Sequence, residues 1–237
     1  MTTLSLLREC ARHGATRATK HWKALAGASV AYGFTLVVPD LLGHILDPKS
    51  DYFYLIGVAF AFLNVSFGIG MARMARLLED GKPASWTLLF SYTAYILPLL
   101  GLTLVFIALL LGLWLIAGML QPAAPSGDSF KSWNSLLPIA GILGGAYVYV
   151  RVSFFAYALA ADDTGITAWE ALKRSFRATR GWFWFSVVLG IGEILAYGLG
   201  IAALGIGLLW VIPFTLFASN HAYARIRSSH GLTSAGA

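Results

Sequence analysis

Two ionisable residues stand inside runs that are otherwise almost wholly apolar: Arg151 within Leu136–Ala161 and Glu193 within Phe183–Leu199. A charge in such a run is costly to bury and marks a functional site by default. If both runs cross a membrane, the two residues differ in depth by roughly 8 Å, a gap that two long side chains bridge. The expected pair has two readings. It gates a path for a proton or solute, or it clasps two neighbouring helices, since removing either partner leaves the other uncompensated; the alternative to a pair is a Glu193 kept neutral by desolvation.

A second pair, Asp40 and His44, is spaced four apart on one helical face. A carboxylate and an imidazole at that spacing bind a metal or relay a proton. Two ligands do not complete a metal site, and no third is placed to join them, so the expected reading is an outer polar pair held by hydrogen bonding. His221 lies at the opposite end of its own run and cannot share a haem with His44. His13 and His21, in a basic arm, read as solvated. Asp162 and Asp163 read as a solvated turn before Gly165, with Asp163 or Thr167 capping the next helix. The lone Cys10 excludes an internal disulfide and any CxxC motif; a palmitoylation or redox site is conceivable there, but one Cys on a helix usually has no such role. No GxSxG, HExxH, phosphate-binding loop or dinucleotide fingerprint occurs, and no nucleophile–base set. Neither catalysis nor a metal or cofactor is expected.

The elements carrying these residues follow from composition. The chain of 237 residues is 58% hydrophobic and 12% charged, with mean hydropathy +0.71. Soluble domains run near half apolar and a quarter charged. The balance excludes an ordinary soluble enzyme, a disordered tail and a fibrous repeat. It predicts a multi-pass membrane protein. Runs such as Leu104–Leu113 do not alternate as barrel strands do, so the predicted class is an all-α polytopic bundle. Six spans are expected, at about 24–45, 53–72, 97–120, 136–161, 183–199 and 201–223, each long enough for a hydrocarbon core of about 30 Å. Pro98 separates the third from an interfacial segment at 84–96. Residues 1–228 form the membrane domain and 229–237 a flexible tail.

Sorting Lys and Arg by loop orients the bundle. Arg8, Arg12, Arg17, Lys20, Lys23, Arg73, Arg76, Lys82, Lys173, Arg174, Arg177, Arg180, Arg225 and Arg227 fall on one side, against Lys49 and Lys131 on the other. That asymmetry predicts both termini in the cytoplasm. The basic N-terminus does not read as a cleavable signal, and Thr2 stands where myristoylation requires Gly.

Two basic segments read as interfacial helices. At 168–180, Trp169, Leu172 and Phe176 follow at helical spacing, with Glu170, Lys173, Arg174 and Arg177 opposite. At 4–22, Leu4, Leu7, Ala11, Ala18 and Trp22 mark one face. Arg17-Ala18-Thr19-Lys20-His21-Trp22 echoes Arg177-Ala178-Thr179-Arg180-Gly181-Trp182, and Val65-Ser66-Phe67 echoes Val152-Ser153-Phe154. The chain can thus be read as three parallel units, each an interfacial helix plus a helical hairpin; recurrence by composition alone is the other explanation. Trp22, Trp86, Trp169, Trp182 and Trp184 form an anchoring belt on the basic side, with Trp133 at the far one. The strings at Gly141–Gly145 and Gly190–Gly192 are expected to permit close helix packing, and those at Gly198–Gly200 and Gly205–Gly207 to ease a turn.

From Arg151 to Tyr223, the order Arg-Val-Ser-Phe-Phe-Ala, Asp162-Asp163-Thr164-Gly165, Trp169-Glu170-Ala171-Leu172-Lys173-Arg174-Ser175, then an apolar run, a Gly-rich turn, Pro213 and Tyr223, resembles the YciC-like bacterial membrane proteins and the membrane domain of some glycerophosphodiester phosphodiesterases. The resemblance covers the C-terminal third to half. It implies a bacterial cytoplasmic-membrane location. Catalysis in those phosphodiesterases belongs to a separate soluble domain, so no catalytic residue carries over. The function expected is non-enzymatic: organising lipids or a partner membrane complex, with anionic headgroups held by Arg12, Arg17, Lys20, Lys173, Arg174 and Arg177 at roughly 1 kcal/mol each. A small-solute transporter or channel using Arg151 and Glu193 is the alternative. Nucleic acid is not an expected partner.

Overall fold

The computed structural model describes residues 2–45, 51–92, 95, 144–145, 147–148, 150–161, 166–203 and 205–230. Among them the protein is all-helical. Six α-helices are defined: α1 Thr3–Ile45, α2 Asp51–Glu79, α3 Phe155–Ala160, α4 Ala168–Thr179, α5 Phe183–Ala202 and α6 Leu208–Ser229, with a 3-10 turn at Trp86–Phe90 between α2 and α3. The expected span at 97–120 and most of the tail at 229–237 lie outside the described residues.

The sequence divides the N-terminal 45 residues into an interfacial helix over 4–22 and a span over 24–45. The structure instead runs them together as α1, 43 residues long, or ~65 Å. No glycine or proline stops the helix at the junction, and the arm has something better than a membrane surface to bury against. Leu6, Cys10, Ala18, Leu25 and Ala28 are all buried, a stripe at helical spacing that faces α6 and α2 rather than outward. Leu4 and Trp22, expected on the apolar face, are exposed.

The core is built by antiparallel neighbours. Along α1 and α2, His13 meets Glu79 and Tyr32 meets Asn64, so the two helices run in opposite directions. A Cβ on Gly14 would stand 2.8 Å from the Phe214 carbonyl oxygen and 3.0 Å from the Ala218 Cβ. Only hydrogen at that position lets α1 and α6 approach so closely. Asn220 of α6 donates to the Ala72 carbonyl of α2 at 3.1 Å, and Arg73 donates to the Ala160 carbonyl of α3 at 2.6 Å. Buried polar groups are thus spent joining helices, as an apolar surrounding requires.

α3 is short because its predecessor is diverted. The Ser153 hydroxyl bonds the Val150 carbonyl at 2.8 Å, and the Arg151 carbonyl accepts from the Ser175 hydroxyl of α4 at 2.7 Å. Local side-chain bonds of this kind compete with the helix ladder, and the chain turns at Ser153–Phe154 before resuming. The expected span at 136–161 is therefore interrupted within its described part.

α4 starts where the Thr167 side chain accepts from the Glu170 amide at 3.2 Å, the capping expected of a threonine there. α5 ends in a tight turn, with Gly205 at φ +75°. A Cβ on Gly207 would meet the Gly200 Cα at 2.9 Å, so these glycines ease the return into α6 as expected.

Among the described residues one helix, α5, is long and apolar enough to cross a membrane, and 17% of its most apolar stretch is buried inside the protein. Val188, Leu195 and Leu199 all point outward.

Candidate functional site

A cavity of about 520 Å³ opens between α5, the Val150–Ala160 segment and α6. Ser186, Gly190 and Glu193 present one face of α5 to it at helical spacing; Tyr147, Phe154 and Tyr157 form the opposite wall, and Ser219 of α6 closes the deep side. Among the described residues a Cβ at Gly190 or Gly192 meets nothing within 4 Å, and beside Gly190 the absent side chain leaves part of the cavity open. Nothing among the described residues meets a Cβ on Gly144 or Gly145 either.

Glu193 lies ten residues into α5, or ~15 Å along its axis. Its carboxylate accepts a hydrogen bond from the Ser219 hydroxyl. No cation lies within ion-pair distance of it among the described residues.

Arg151 and Glu193 have separate partners. The Arg151 guanidinium donates to the Thr179 hydroxyl at 3.3 Å and lies over the rings of Tyr147, at 5.0 Å, and Phe183, at 5.9 Å. Its Nε is buried with no hydrogen-bond partner. The diverted chain at Ser153 and the tie to Ser175 hold Arg151 level with the end of α4. Glu193 sits several turns further along α5. The charge pair expected from sequence is not formed, although both residues adjoin the same aromatic wall.

Asp40 and His44 belong to α1 by backbone; their side chains, with Asp162 and Asp163, lie outside the described residues. Among the described residues no cluster of three metal-binding side chains occurs.

On α4 the outward stripe is Trp169, Lys173 and Phe176, with Arg180 exposed just after its end, while Ala171, Leu172, Ser175, Ala178 and Thr179 are buried. Trp169 and Phe176 were expected to share the Leu172 face. The bundle takes the small residues instead, and the large aromatics turn out beside the cations. Lys173 Nζ lies 5.6 Å from the Trp169 ring centre. Glu170 pairs with Arg177 at 3.0 Å and Arg174 at 3.4 Å, which tempers the charge of those two. Arg12 and Lys20 are exposed and Arg17 half-buried on α1. Trp22, Trp86 and Trp184 are exposed as well.

Sequence reasoning missed one cluster. His13 and His221 stack with ring centres 4.2 Å apart; His13 bonds Glu79 at 2.7 Å and His221 bonds Glu9 at 2.9 Å. Arg225 donates from two of its nitrogens to the same Glu9 oxygen, Oε1. Arg225 first, and His221 next, hold the Glu9 carboxyl below the usual range. The signal was available: Glu9 and His13, like His221 and Arg225, are four apart and share a helix face. His13 is therefore a partner of the bundle, not a solvated arm residue. His21 is half-buried with an unpartnered Nε2, and burial, then Lys20 and Arg17, push its pKa down.

The Cys10 thiol is fully buried, and burial raises its pKa to about 12. A thiol so placed is neither nucleophilic nor open to acylation, which removes the palmitoylation and redox readings.

Comparison with protein-family models, with curated proteins and with solved structures finds no match for this chain.

Proposed function

We propose that this is a non-enzymatic, multi-pass protein of a bacterial cytoplasmic membrane that organises anionic lipids, or a partner complex, through a cytoplasmic collar. The observation that carries the reading is the outward stripe of α4, where indole and ammonium stand side by side, in a chain whose α5 exposes an apolar flank. Trp and Lys/Arg together are what a headgroup layer selects. An apolar helix with so little of its surface covered by protein fits lipid better than water. The six-span count, the cytoplasmic termini and the likeness to YciC-like proteins belong to this reading.

Native mass spectrometry on protein released in its own membrane patches tests it. Retained anionic phospholipid, reduced when Arg12, Lys20 and Lys173 are changed to Gln, supports lipid organisation. A stoichiometric protein partner supports the accessory-subunit form. Retention of lipids in bulk proportion, with no partner, contradicts both.

The cavity supports a second reading, passage or binding of a small solute. Here Glu193 is the polar group facing the cavity, and Arg151 stands at the collar end. Cysteines placed along the Ser186–Gly190 face should then react with a water-soluble maleimide; complete protection contradicts passage.

A further inference from the structure

A carboxylate that faces a cavity, deep in an apolar helix and without a counter-charge among the described residues, is incomplete by itself. Ser219 supplies one hydrogen bond to Glu193, and one hydroxyl alone does not hold a buried carboxyl ionised. A cation in the cavity is the component that would. The cavity wall indicates its shape: Phe154 and Tyr157 stand together with ring centres 6.2 Å apart, and Tyr147, Phe183 and Trp184 line the remainder. Faces of aromatic rings attract cations, most strongly where water is excluded. Arg151 already demonstrates this at the collar end by lying over Tyr147 and Phe183. At about 520 Å³, the cavity is within the range of sites for drug-sized molecules, roughly 300–1,000 Å³.

We propose that this cavity binds a lipophilic monocation, with Glu193 as its counter-charge, Ser219 orienting the carboxylate and the aromatic wall enclosing the apolar body. A hydrated inorganic cation would leave the aromatic wall unused, and an anionic amphiphile would place like charges together. The inference depends on the membrane reading for how the ligand arrives. It goes beyond the collar and uses none of the collar's cations.

The test uses the intact protein in nanodiscs of zwitterionic phosphatidylcholine, so that lipid charge draws in neither probe. Tetraphenylphosphonium is compared with tetraphenylborate, its anionic counterpart of nearly the same shape. Wild type is expected to bind the cation saturably, about tenfold or more tighter than the anion, and Glu193→Gln to lose about tenfold or more in affinity. Gly190→Leu fills the cavity from a position where an added Cβ meets nothing within 4 Å, and is expected to abolish binding with the carboxylate intact. Should Glu193→Gln fail to fold, Gly190→Leu carries the test. Equal affinity for both probes, no saturable cation binding by wild type, or unchanged binding in both variants would overturn the proposal. Collar function fails by a different readout, lipid retention, so the two failures are distinguishable.

Discussion

Ser219 of α6 donates its hydroxyl to the Glu193 carboxylate of α5, and one turn further along the same two helices Tyr197 bonds Thr215 at 3.2 Å. The two contacts form a ladder that fixes the register of α5 on α6. Glu193 is thereby both a facing group of the cavity and an anchor of the helix that carries it. Ser219→Ala leaves a buried acceptor unsatisfied, for which about 1–3 kcal/mol of stability is the ordinary loss. Thermal unfolding in detergent should show that drop, and a much smaller one when Ser219→Ala is made in a Glu193→Leu background. Equal drops in both backgrounds would mean the hydrogen bond contributes nothing.

The α1–α6 crossing rests on Gly14. A methyl group there meets the Phe214 carbonyl oxygen at 2.8 Å, so Gly14→Val should destabilise by about 1–3 kcal/mol through overpacking. Gly27, on the same helix, has nothing within 4 Å of an added Cβ. Gly27→Ala should be neutral or stabilising by up to about 1 kcal/mol from helix propensity. Melting temperatures that rank the two in the opposite order would contradict the crossing.

The Glu9 contacts predict an acid-labile join between α1 and α6. Arg225 and His221 lower the Glu9 pKa from 4.5. The contribution is therefore fully present above the unfolded value of about 4.5 and is lost as pH falls through the lowered folded value. Glu9→Gln should melt below wild type at neutral pH, with the gap closing as the pH drops below that point. A gap that is constant across the range would show that the carboxylate's charge is not involved.

Cys10 should resist alkylation in the folded protein at pH 8 and react readily once unfolded, because burial raises its pKa to about 12 and the thiolate is the reactive species. Mass spectrometry after timed maleimide exposure reads this directly. Rapid labelling of the folded protein would place the arm away from α6.

Local signals were legible in the sequence where neighbours along the chain decide the outcome. The segment expected at 168–180 is α4, Ala168–Thr179, and the span expected at 183–199 is contained in α5, Phe183–Ala202. Thr167 and the glycines of the α5–α6 turn do what their chemistry suggests. Where distant partners decide, the reading failed. Hydropathy started the last span at 201, but the turn through Gly205 and Gly207 delays α6 to Leu208. Charge split α1 at residue 23, yet the face that matters is the small one, Cys10, Gly14 and Ala18, which α6 covers. The pairing of Arg151 with Glu193 was inferred from depth alone. Depth along a run assumes an unbroken helix, and Ser153 breaks it. No periodicity reveals a cavity, because the space beside Gly190 depends on what the opposite wall omits.

The most direct test of the membrane reading is a spin label at Leu195, with Cys10 replaced by Ala and the protein reconstituted in lipid. Leu195 is on the outward flank of α5, 64% exposed. The account predicts that dissolved oxygen relaxes the label strongly while a water-soluble nickel chelate barely reaches it. Ready access by the nickel chelate, with weak oxygen contact, would put that flank in water and contradict the account.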